Sequence, residues 1–185
     1  MKKIVLILAV FMMPFAFSSC GDDDDNIIEQ FTGSVHMTVG GQDINLPVAA
    51  FTKQGGKVIL TSTNLNHSIA MYVEANAAGT YTLGAAQTVL GLATNLGGIT
   101  EILGGGGNYM LYSPSQDIQS NAKIVLVGSV TFSKWESNKI AGSFTGTAVS
   151  KDVINGLSVT DIVALFTGGG GSITQISGTF EAVGK

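Results

Sequence analysis

From Phe31 to the C-terminus the apolar residues recur at every second position, and this period constrains the fold more than any other feature of the chain. In Gly33–Val39, residues Val35, Met37 and Val39 share one face while Ser34, His36 and Thr38 take the other. Gly40–Gly41 then reads as a hairpin turn, followed by a strand through Ile44, Leu46 and Val48. Pro47 inside that strand cannot donate to a ladder, so it asks for an edge or a bulge. Past the Gln54–Gly55–Gly56 turn come Lys57–Thr63, His67–Glu74 (Ile69, Met71 and Val73 in phase), Thr80–Leu83 and Asn108–Tyr112. Ala122–Trp135, Lys139–Ser150 and Ile173–Val183 complete the set. The expectation is an all-β fold, an antiparallel meander of about 8–10 strands forming a barrel or a sandwich.

Glycine supports a strongly curved sheet. The chain has 25 glycines, about twice the usual share, and several fall inside strands in a recurring triplet of Gly, then Ser or Thr, then an apolar or aromatic residue. Gly33–Ser–Val35, Gly79–Thr–Tyr81, Gly128–Ser–Val130, Gly142–Ser–Phe144 and Gly178–Thr–Phe180 all follow it. A glycine within a strand weakens it, but allows sharp coiling and close approach of a neighbouring ring. The longest echo is Ile140–Ala–Gly–Ser–Phe144 against Ile176–Ser–Gly–Thr–Phe180.

Two stretches break the two-residue period. Val89–Leu103 carries Leu92, Leu96, Ile99 and Leu103 at helical steps, and Leu157–Phe166 puts Val159, Ile162, Val163 and Phe166 on one stripe. Both predict short amphipathic helices inserted into the meander. Each runs into four glycines, Gly104–Gly107 and Gly168–Gly171, the expected stop for a helix. The two are expected to lie side by side at one end of the β domain.

The N-terminus carries an address. Met1–Lys2–Lys3 precedes an apolar run from Ile4 to Phe17 that is closed by Ser18–Ser19–Cys20. This is the pattern of a secretory signal, residues 1–19, ending at a lipobox, and the run falls short of the roughly 20 residues of a membrane span. Cys20 is the chain's single cysteine; it excludes disulfides within the chain and stands where a lipid acceptor is required. Gly21 and the carboxylates of Asp22, Asp23, Asp24 and Asp25 follow. Their mutual repulsion keeps them solvated, so residues 20–30 read as a tether and residues 31–185 as one β domain. All nine basic residues are lysines, and after removal of the signal seven remain against thirteen acids, a net charge of −6. That balance gives nucleic acid no electrostatic footing.

Cys20–Gly–Asp–Asp–Asp–Asp25 resembles the acidic export signal of Bacteroidota surface lipoproteins, which implies an outer-membrane, lipid-anchored, surface-exposed location. Ala78–Gly–Thr–Tyr–Thr–Leu83, Lys139–Ile–Ala–Gly–Ser–Phe144 and Ile176–Ser–Gly–Thr–Phe180 are similar to a family of small Bacteroidota lipoproteins close to the calycin-like, lipocalin-like group. The resemblance implies an antiparallel β fold and no established activity. The two helical insertions depart from that family's plain pattern.

Chemistry-bearing residues are sparse. His36 lies on the polar parity of its strand and His67 on the apolar parity, so they face opposite ways unless a bulge intervenes, and no metal or cofactor site is expected. No Gly-x-Ser-x-Gly, phosphate loop or dinucleotide fingerprint is present. Asp43, Glu74, Asp117, Glu136 and Asp152 fall mostly in turns or at strand ends, where solvated charge is ordinary. Trp135 takes the opposite parity to Val130 and Phe132, which makes it a candidate exposed ring, or else a ring folded over the hairpin end or covering the second helix. The sequence therefore predicts no enzyme. It points to a surface lipoprotein whose β domain binds a small apolar or glycan ligand or an envelope partner. Trp135, Leu96, Ile99, Ile162 and Phe166 form the candidate surface. The other reading is a structural or assembly lipoprotein whose helical insertions pack against a partner protein.

Overall fold

A computed structural model of the chain describes residues 33–84, 107–116, 121–150 and 173–184. The strands are β1 (Gly33–Val39), β2 (Gln42–Gln54), β3 (Lys57–Thr63), β4 (Ser68–Glu74), β5 (Gly79–Leu83), β6 (Tyr109–Ser113), β7 (Lys123–Trp135), β8 (Lys139–Ser150) and β9 (Ile173–Gly184). Neighbours in the chain pair in the sheet except around β5, which pairs with β7 while β4 pairs with β6, and β1 pairs with β9 to close the ring. The result is a closed antiparallel barrel of eight strand positions, which settles the choice between barrel and sandwich. The described residues contain no helix. Both expected helical insertions, with Leu96, Ile99, Ile162 and Phe166, lie outside the described residues, as do the signal, Cys20 and Gly21–Asp25.

Nine strands fill eight positions because β5 and β6 lie end to end. Both run antiparallel to β7, β5 opposite residues 128–132 and β6 opposite residues 123–124. Asn108 stitches the joint: its backbone carbonyl accepts from Gly84 N at 2.9 Å, its Nδ2 donates to Thr82 O at 3.0 Å, and its Oδ1 accepts from Glu74 N at 2.7 Å. The stretch of residues 85–106 therefore leaves and re-enters part-way up the wall, whereas residues 151–172 connect β8 to β9 at one end of the barrel.

Three bulges set the side-chain phase. In β2 the register shifts by one residue at Pro47–Val48, turning Val48 outward at 51 % exposure and bringing Ala49 and Phe51 inside. The alternation that placed Val48 in phase with Leu46 ends there, because the bulge inserts one extra residue. Beyond it β2 reaches past the start of β1 to touch β9 in parallel, Ala50 opposite Val183. The other two bulges lie in β7, between Val125 and Val127 and between Phe132 and Lys134.

The interior is a packed core. Val35, Leu46, Leu60, Ile69, Met71, Val73, Leu83, Met110, Val130, Ile140 and Ile176 are all buried to within 2 %. A ligand-sized cavity would leave substantial accessible area on the side chains lining it, so none adjoins these residues. Two strand glycines make room for rings. Phe180 stands opposite Gly142 and Phe144 opposite Gly178, so each echo of the Gly–Ser/Thr–Phe triplet lays its ring over the other's glycine. A Cβ at Gly142 would sit 2.8 Å from Phe180 Cζ, and one at Gly178 would sit 2.7 Å from Phe144 Cζ. The curved-sheet reading of those triplets holds.

Candidate functional site

The barrel end that carries the β1–β2, β3–β4, β6–β7 and β8–β9 connections holds a hydrogen-bonded set of polar side chains. Asn64 organises one side of it. Its Oδ1 accepts from the backbone N–H groups of Asn66 (2.8 Å) and His67 (2.7 Å), an Asx turn that delivers His67 to the start of β4. Its Nδ2 donates to Asn45 O at 2.9 Å, tying the turn to β2. His67 keeps the parity of Ile69 and Met71 and leans inward, where Nδ1 lies 2.9 Å from the Tyr112 hydroxyl. The two rings are nearly parallel at 6.0 Å. Burial pushes the Tyr112 phenol up, so it keeps its proton at neutral pH and can donate to a bare Nδ1 or accept from a protonated one.

Around this pair Ser68 Oγ donates to Ser115 O at 2.8 Å, and the Ser113 and Ser115 hydroxyls meet at 3.0 Å. Lys123, opposite Tyr112 in register, donates from Nζ to Thr174 Oγ1 at 2.7 Å. Ser68 thus bonds to backbone and Ser113 meets Ser115, while the His67 imidazole faces the Tyr112 phenol. The cluster can bind by hydrogen bonding; it has the arrangement of a fastened barrel end.

A second polar surface lies outside, across β2, β1 and β9. His36 and Thr38, Asp43 and Asn45, and Ser177 and Thr179 rim an open depression of about 430 Å³. Thr38 Oγ1 donates to Asp43 Oδ1 at 2.8 Å. His36 is thus on the outer wall and His67 inside the end, so the two imidazoles face opposite ways. Among the described residues no three His, Cys, Asp or Glu side chains gather closely enough to hold a metal ion. The carboxylates are dispersed: Glu74 pairs with Lys57 at 3.7 Å and Glu136 with Lys134 at 3.3 Å. Asp117 and Asp152 lie outside the described residues.

Trp135 is not a free-standing ring. The β7 bulge after Phe132 reverses the parity again, so Trp135 returns to the face of Phe132 and meets that ring edge-on at 5.1 Å. It is partly buried against the core, and Lys53 Nζ lies 4.2 Å above its centroid while donating to Glu136 O at 2.7 Å. Simple alternation misses this, because one bulged residue exchanges the two faces. Of the candidate binding residues, Trp135 alone falls among those described, and it closes the end of the barrel opposite to His67.

One feature escaped the two-residue reading altogether. Tyr109, Leu111, Ile124 and Val149 belong to the outward parity, yet each is buried to within 3 %. Tyr109 stacks on Tyr72 with centroids 4.6 Å apart, and its hydroxyl has no hydrogen-bond partner. Burial, and secondarily the neighbouring Tyr72, drives the Tyr109 phenol far above its ordinary value. The signal was present: Tyr109–Met–Leu–Tyr112 and Ile69–Ala–Met–Tyr–Val73 are apolar without alternation, as strands buried on both faces are.

Comparison of the chain with protein-family models, with curated proteins and with solved structures finds no match. The reading of function rests on the molecule itself.

Proposed function

We propose that this chain is a non-enzymatic, lipid-anchored lipoprotein of the outer-membrane surface, which engages an envelope partner through the outside of a solid barrel. The observation that carries this is the filled interior: the inward side chains of all eight strand positions are buried against one another. A small apolar ligand needs a lined cavity of several hundred Å³, and the packed core leaves none beside these residues. Eight-stranded up-and-down order is shared with lipocalins, which supports kinship in topology with the calycin-like group, while the packed interior departs from ligand-carrying members. Residues 1–19 are the signal, Cys20 the lipid acceptor, and Gly21 with Asp22–Asp25 the export signal and tether.

The test uses the full-length lipoprotein. Cross-linking on whole cells followed by purification should recover a protein partner, and native mass spectrometry of the detergent-solubilised domain should show no retained small molecule. A stoichiometric apolar ligand released on unfolding would overturn the proposal. Cys20→Ala should leave an unacylated precursor that no longer partitions with membranes. Replacing Asp22–Asp25 by alanine should keep the lipid but shield the domain from protease added to cells. A second reading, favoured by the depression over β2, β1 and β9, is glycan binding by His36, Asn45 and Thr179. It requires that His36→Ala abolish a glycan-array signal that the unaltered protein gives.

A further inference from the structure

The lysines of the described strands are matched, with one exception. Lys57, Lys134 and Lys139 pair with Glu74, Glu136 and Glu181, and Lys53 lies over the Trp135 ring while donating to Glu136 O. Lys123 alone among them meets no carboxylate of a described residue; its partner is the neutral Thr174 hydroxyl. Its place in the barrel makes that pairing poor. Lys123 stands in register with Tyr112 on β6 and Ser150 on β8, and the next residue of its parity, Val125, belongs to the core. The ammonium therefore faces into the polar end of the barrel, where the inward residues beside it, Tyr112, Ser150 and Thr174, are all neutral. Such a position takes away part of the hydration of an ammonium, and one hydroxyl does not replace it.

Donors are in surplus here. An ammonium has three N–H groups, and Thr174 accepts from one of them. Because the Thr174 oxygen is the acceptor, its own O–H is left to donate. The two donor groups stand 2.7 Å apart, side by side as the two oxygens of one carboxylate require. Both residues are half-buried, so solvent, and a solute with it, reaches them. We propose that Lys123 and Thr174 form a binding site for a single carboxylate at the polar end of the barrel, with Tyr112 beside it. One cation suits one negative charge; a phosphate dianion would leave a charge unmatched in a chain of net charge −6. The site lies inside the barrel end, apart from the outer surface assigned to an envelope partner, and holds whether or not that assignment does.

The test uses the full-length lipoprotein, labelled with carbon-13 at its threonine methyls and titrated with sodium acetate against an equal concentration of sodium chloride. The Thr174 signal, assigned by its loss in Thr174→Ser, should move and saturate, while those of Thr38 and Thr179 on the outer wall stay still. Lys123→Met keeps the stem and removes the charge, and should weaken acetate binding at least tenfold. A Thr174 signal that does not respond, that moves in step with Thr38 and Thr179, or that responds equally in Lys123→Met overturns the proposal. A second measurement needs no variant. Acetate should slow reductive methylation of Lys123 at least threefold, read by mass spectrometry of chymotryptic peptides, and leave Lys57, Lys134 and Lys139 unchanged; equal slowing at all four, or none, refutes the site. Inorganic phosphate that binds more tightly than acetate does so as well. N-acetyl-triglycine binding at least tenfold more tightly than acetate, with no binding by its C-terminal amide, assigns the carboxylate to a polypeptide terminus. Affinity equal to that of acetate assigns it to a small free acid.

Discussion

Gly178→Ala tests the closure of the ring directly. A Cβ at this position points into the barrel, 2.7 Å from Phe144 Cζ and 2.8 Å from Met37 Cβ, with the His36 carbonyl oxygen nearer than either. The Phe144 ring can rotate away. The His36 carbonyl cannot, because it belongs to β1 in register with β9, Met37 opposite Gly178. The two strands that close the barrel must therefore move apart. Overpacking of this kind costs about 1–3 kcal/mol, with obstruction by backbone at the upper end. Alanine recovers about 0.5–1 kcal/mol of chain entropy relative to glycine, leaving a net loss of about 2 kcal/mol. For a domain of this size that lowers Tm by about 4–8 °C. Thermal and urea melts followed by circular dichroism, on the unacylated Cys20→Ala background, measure it. Gly55→Ala serves as a comparison: Gly55 has positive φ in an open turn with nothing near its Cβ direction, so only backbone strain is added. Adding Phe144→Leu to Gly178→Ala should not restore stability. A neutral Gly178→Ala, or full rescue by Phe144→Leu, would refute the argument that backbone contact is what excludes a side chain.

Three further outcomes follow from the same geometry. Tyr109→Phe removes a buried hydroxyl that has no partner, so the variant should be more stable by about 1 kcal/mol; a lowered urea midpoint would mean that the hydroxyl is bonded after all. Burial raises the phenols of Tyr72, Tyr109 and Tyr112 above the ordinary value of 10.0. Folding thus favours their neutral forms: that contribution is complete below pH 10 and is lost as pH rises beyond it, at up to about 1.4 kcal/mol per pH unit for each phenol. Urea midpoints measured from pH 8 to pH 11.5 should fall only above pH 10, and less steeply in Tyr109→Phe. Lys53→Ala uncovers the Trp135 ring, so acrylamide should quench its fluorescence at least twice as efficiently; unchanged quenching would show that Lys53 does not shield the ring.

Much of the fold was legible because alternation and turn glycines are local signals. Gly40–Gly41 and Gly55–Gly56 both take positive φ at hairpin turns, and the strand limits read from the sequence fall close to those observed for most of the set. What escaped has a single physical origin. A bulge changes phase by one residue without changing composition, so Val48 and Trp135 were assigned to the wrong faces while their strands were placed correctly. Pro47 marked the first bulge, because proline removes a ladder donor; nothing in Phe132–Ser–Lys–Trp135 marks the other. The uniformly apolar β6 did announce a wall buried on both sides, yet a run of five residues looks the same as the core of any short strand. The polar barrel end assembles His67 from the turn before β4 with Tyr112, Lys123 and Thr174 from β6, β7 and β9, a juxtaposition that the turn and the register create together.

The closure of the ring also bears on how the protein behaves at high concentration. A sheet with free margins offers unpaired N–H and C=O groups to any passing strand, the usual beginning of edge-to-edge aggregation and of peptide capture by strand addition. Here β1 and β9, the first and last strands, satisfy each other. Among the described residues only β5 pairs on one side alone; it spans five residues, with Thr80 and Thr82 exposed. So short and polar a margin is a poor template. Among its described strands a chain that is 45 % hydrophobic thus offers almost no free main-chain margin to another strand, and contacts with this wall fall to side chains and not to main-chain pairing.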